Sequence, residues 1–71
     1  MTFGVVVCFR GPGGVWSKEY TYKSEVPFKE GDAVVVPAGT FWNVAKVKRC
    51  VENYKFNEAI AYKSIHCKLA V

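Results

Sequence analysis

The sequence predicts an all-β domain of five short strands, and three observations carry that prediction. Apolar residues alternate with period two near both ends of the chain, at Phe3, Val5, Val7 and Phe9 and again at Ile65, Cys67, Leu69 and Val71. That period suits a pleated strand with one buried face. Clusters rich in turn-forming residues punctuate the chain at residues 11–14 (GPGG), 29–32 (KEGD) and 37–40 (PAGT). Between the last two lies Ala33-Val34-Val35-Val36, a β-branched run too short for a stable helix.

Taken in order, residues 2–10 make the first strand, with Phe3, Val5, Val7 and Phe9 on its core side. The following GPGG is a turn rather than a phosphate-cradling loop. It lacks the Gly-Lys-Ser/Thr ending, and no helical pattern follows. Residues 15–23 make a second strand in which Trp16, Tyr20 and Tyr22 share a parity, and Lys18 interrupts that face at a bulge or an exit from the core. Residues 24–28 connect to the Gly31-Asp32 turn. The third and fourth strands, residues 33–36 and 41–51, form a hairpin. Neither face of the fourth is uniformly apolar, so a bulge or a bend shifts its register midway. Residues 52–60 fit no clean period and hold at most one short helical turn, and residues 61–71 make the fifth strand. Five short strands over a thin core avoid open edges best by closing, which predicts a small five-stranded SH3-like barrel.

At 71 residues the chain forms one domain, residues 1–71, and 51% hydrophobic content is enough to order it. No apolar run reaches the ~20 residues of a membrane-spanning helix. No basic leader precedes the first apolar residues, so the expected location is the cytoplasm. Cys8, Cys50 and Cys67 are odd in number and widely spaced, with no C-x-x-C pair and a single histidine, His66. They are expected to be reduced thiols acting as small core hydrophobes, without a metal. Charge is uneven. Residues 1–45 carry four cations against four carboxylates, whereas residues 46–71 carry six against two, so the whole net charge of +4 lies in the last third.

The stretch Tyr20-Thr21-Tyr22, then residues 28–37 (FKEGDAVVVP), then Val44-Ala45-Lys46-Val47 resembles two groups of proteins over roughly residues 20–47. One is the class of small phage-encoded β-barrel proteins of unassigned role. The other is the DNA-binding N-terminal module of the primosomal replication helicase. The first resemblance implies action in a host cell's cytoplasm, and the second implies contact with DNA. The helicase module's end-binding pocket has no matching motif in this sequence, so the resemblance assigns no residue.

No Ser/His/Asp or Cys/His spacing stands out, so the sequence points away from an enzyme, a cofactor or a small-molecule substrate. Binding to an anionic partner fits the charge asymmetry. Lys46, Lys48, Arg49, Lys63 and Lys68 are expected to contact phosphates of a nucleic acid, and Trp42 and Tyr62 to offer stacking faces on a surface built by the fourth and fifth strands. About four neutralised phosphates would give a log–log salt slope near −3 to −4. The alternative is a protein-docking module, such as an inhibitor of a host enzyme, anchored by an exposed Trp16 or Trp42.

Overall fold

Gly39 decides where the chain reverses. Its φ of 65° opens a two-residue turn with Thr40, the glycine-first arrangement of a type II′ hairpin. The turn joins β3 (Ala33–Ala38) to β4 (Phe41–Glu52) in an antiparallel ladder running from Ala38↔Phe41 to Ala33↔Lys46. The computed structural model describes residues 2–69, apart from the side chain of Ala38. Besides the hairpin it contains β1 (Phe3–Cys8), a 3₁₀ turn at Pro12–Gly14, β2 (Tyr20–Ser24) and β5 (Cys67–Lys68). The fold is all-β, and the strands form one antiparallel sheet in the order β2-β1-β4-β3-β5.

β4 is the central strand and joins the β1–β2 half of the sheet to the β3–β5 half. Its first half pairs with β3 and its second half with β1, and a bulge lies where it turns from one to the other. Val7 opposes Val47 while Val6 opposes Arg49, which leaves Lys48 without a partner. Core-facing positions therefore run Ala45, Val47 and then Cys50, a step of three where an unbroken strand steps by two. The midway shift expected of this strand is thus a bulge at Lys48.

The turn before β3 is fastened from both sides. The Lys29 N–H donates to Asp32 Oδ2 (2.8 Å), and Asp32 N–H donates back to the Lys29 carbonyl (3.0 Å). Gly31, at φ 92°, donates to Val47 O, and Val47 N–H donates to Asp32 O, both at 2.8 Å.

The core comprises Val5, Val7, Tyr22, Val34, Val36, Ala45 and Val47, with Phe3, Phe9, Phe28, Cys50 and Ile65 packed against it. Each fully buried valine contributes about 1.5–3 kcal/mol relative to exposure. β1 is buried on its other face as well, through Gly4, Val6 and Cys8. Tyr54 covers Gly4, and an ion pair between Arg49 and Glu19 reaches across the strand.

Several boundaries differ from the sequence expectation. The 3₁₀ turn lies at Pro12–Gly14, where Pro12 presets the first φ, and not within residues 52–60. β2 is shorter than expected, because residues 17–19 leave the ladder after an isolated Arg10↔Trp16 bridge. The last strand is two residues long. Of its expected core face only Ile65 packs inward; Cys67 and Leu69 are exposed on the far edge, and Val71 lies outside the described residues.

The sheet is open, because β2 and β5 share no ladder among the described residues. One piece of chain nevertheless bonds to β2 at one edge and to β3, beside the other. Lys23 N–H donates to Lys63 O and its carbonyl accepts from Ile65 N–H, while His66 N–H donates to Val35 O and Leu69 N–H to Ala33 O, all at 2.9 Å.

Candidate nucleic-acid interface

β4 presents Trp42, Val44 and Lys46 on the sheet face opposite the core, as the burial of Ala45 and Val47 on the other face requires. Trp42 is 61% exposed although its indole packs on His66, with ring centroids 4.4 Å apart and planes tilted by 38°. Four residues further along, about 13 Å at strand rise, Lys46 holds its ammonium 5.9 Å from the centre of the Trp16 ring. Trp16, 47% exposed, reaches that position because the Arg10↔Trp16 bridge extends the β1–β2 hairpin past the end of β1. Trp16, Lys46 and Lys48 line a shallow concavity with Glu30 and Gly31. One exposed indole therefore stands beside Lys46 and a second about 13 Å along the same strand.

The expected cations behave differently from one another. Lys46 and Lys48 are exposed and make no ion pair among the described residues. Arg49 is committed to Glu19 through two bonds, Nη2 to Oε1 at 2.9 Å and Nη1 to Oε2 at 3.2 Å. That fork lowers the Glu19 pKa and raises that of Arg49, the side-chain hydrogen bonds being the largest cause in each. Lys68 Nζ lies 3.6 Å from Asp32 Oδ1. Asp32 is held below its ordinary value first by the Lys29 N–H and then by Lys68.

Lys63 and Tyr62 stand elsewhere, beside the edge of β2. Tyr62 is half-buried in an edge-to-face row with Phe56 and Tyr54, at centroid distances of 4.9 Å each, and its hydroxyl oxygen accepts from the Asn57 N–H. The surface expected from paired fourth and fifth strands does not form as such, because β3 lies between them. Trp42 and His66 meet across β3, while Lys63 and Tyr62 belong to a separate cleft.

Sequence reasoning offered Trp16 only as a protein anchor and missed its place beside Lys46. The link depends on a bridge across a glycine-rich turn, which no local pattern encodes. The sequence matches no protein-family model, and no curated protein or solved structure matches it either.

Proposed function

We propose that this domain is a non-enzymatic module that binds single-stranded nucleic acid along the outer face of β4. One observation carries the reading: Lys46 stands beside the exposed Trp16 with the exposed Trp42 about 13 Å along the same strand, and Lys48 lies next to it at the bulge. Single strands are bound by cationic tracks with interleaved aromatic platforms, each stacked base adding about 1–3 kcal/mol without base readout. Trp42 and Trp16 supply the platforms, and Lys46 and Lys48 supply the charge. Arg49 and Lys68 belong to the same basic third of the chain, but their partners Glu19 and Asp32 occupy them in the unbound protein.

Two unpaired lysines imply a log–log salt slope near −1.4 for a single strand, shallower than four phosphates would give, and binding best seen at low salt. The working fold for this reading is a small SH3-like barrel, supported by the bonds of residues 63–69 to β2 as well as to β3. The working location is the cytoplasm, that of a host cell for a phage-encoded protein. Replacing Lys46 and Lys48 by Glu tests the reading. Affinity for an oligonucleotide should fall and its salt dependence vanish while the fold survives, since both side chains are exposed.

A further inference from the structure

The edge of β2 leaves one residue's backbone unused inside the fold. Lys23 turns both of its backbone groups outward, toward Lys63 and Ile65. Backbone direction alternates along a strand, so Thr21 also turns outward, away from its neighbour Val6 on β1. Among the described residues nothing bonds to the outward N–H and carbonyl of Thr21. The chain that completes Lys23 has diverged by residues 60–62, and an open cleft separates it from β2. Tyr20, Tyr22 and Tyr62 line that cleft, with Lys18 and Lys63 beside them. Glu19, the one carboxylate among the described lining residues, is tied to Arg49.

We propose that this cleft takes an extended acidic peptide, which adds to the β2 edge at Thr21 as a further strand. An outward donor and acceptor on one residue of an edge strand match another extended chain. Tyr20, 40% exposed, and the half-buried Tyr62 across the cleft make a surface for an apolar side chain of that peptide. Lys18 and Lys63 supply the complement to its carboxylates. A nucleobase fits less well, because Tyr22 is only 7% exposed and its hydroxyl donates to the Pro37 carbonyl, leaving no open ring face. The site is separate from the Trp16–Trp42 track and does not rest on the nucleic-acid reading.

The test is an amide-resolved titration of the isotope-labelled protein with a capped peptide alternating Glu and Val. The expected result is shifts at Thr21 and Lys63, with hydrogen exchange at the Thr21 amide slowed by the peptide. Thr21→Pro removes the outward N–H and spares the bonds to β1, which come from Tyr20 and Tyr22. It should weaken binding about tenfold. Lys18→Glu combined with Lys63→Glu leaves the β2 backbone untouched and should weaken binding similarly, so the proposal stays testable even where the proline variant fails to fold. The same peptide with Lys in place of Glu should not bind. Four outcomes would overturn the proposal: no shifts, shifts confined to the Trp16 and Trp42 face, a Thr21 amide already protected without peptide, or Thr21 shifts elicited by an oligonucleotide instead.

Discussion

Tyr54 lies over Gly4 so closely that a Cβ built on the glycine would sit 2.6 Å from both Cβ and Cδ1 of the tyrosine. Gly4 is therefore the one position in β1 where the absence of a side chain is required by packing. An aromatic ring laid over a strand glycine also shields backbone that the glycine would otherwise expose. The contact anchors the row Tyr54–Phe56–Tyr62 and, through it, the loop that follows β4.

Gly4→Ala should destabilise the domain by about 1–3 kcal/mol, because the colliding atoms include the Tyr54 Cβ, which cannot swing away. In a Tyr54→Gly background, which removes that Cβ as well as the ring, the same change should cost under about 0.5 kcal/mol. Urea denaturation of the four proteins measures the coupling. Additive effects would mean that Tyr54 does not rest on Gly4.

The three thiols should react in a fixed order. Cys67 is exposed on β5, Cys50 is half-buried, and Cys8 is buried at 4% exposure. A thiol reagent under native conditions should modify Cys67 first and Cys8 last, with Cys8 reacting only as the protein unfolds. Mass spectrometry of peptides after timed labelling reads the order directly. Rapid labelling of Cys8 would contradict its burial.

Tyr22 should set an alkaline limit on stability. Burial raises its pKa above the ordinary 10.0, and the neighbouring Tyr20 adds to the effect. A raised folded pKa gives a contribution that is complete below pH 10.0 and lost as pH rises through the folded value. Urea midpoints should hold up to about pH 10 and then fall, and Tyr22→Phe should remove that part of the fall. The variant also loses the hydroxyl bond to Pro37 O, a change of about 1 kcal/mol at neutral pH.

The sheet was legible in the sequence wherever residues interact with near neighbours. The period-two faces of β1, the Lys29–Asp32 turn and the β3–β4 hairpin all follow from local spacing. The bulge also left a trace, because the core positions Ala45, Val47 and Cys50 break the step of two. What was hidden depends on pairing between distant segments. Cys67 and Leu69 alternate as core residues do, yet β5 joins the sheet outside β3, where no layer covers that face. The site shows the same division. Lys46 and Lys48 stand open as their charge suggested, but Arg49 meets Glu19 across β1, thirty residues away in sequence. The summed charge of a segment does not reveal which of its cations are already paired.

That pairing gives a prediction of its own. Glu19→Gln should release Arg49 toward the anionic ligand and raise oligonucleotide affinity at low salt. The log–log salt slope should steepen by about 0.7, one further contact with a single strand. Fluorescence titration at several salt concentrations measures it. An unchanged slope would mean that Arg49 takes no part in binding.

Quenching of Trp16 and Trp42 fluorescence by a short oligothymidylate at about 50 mM salt tests the binding reading most directly. The wild-type protein should be quenched saturably, and Trp16→Phe and Trp42→Phe should each retain part of the quenching from the remaining indole. Replacing both Lys46 and Lys48 by Glu should abolish saturable quenching without changing the far-ultraviolet spectrum. Absence of saturable quenching in the wild-type protein at that salt would contradict nucleic-acid binding on this face.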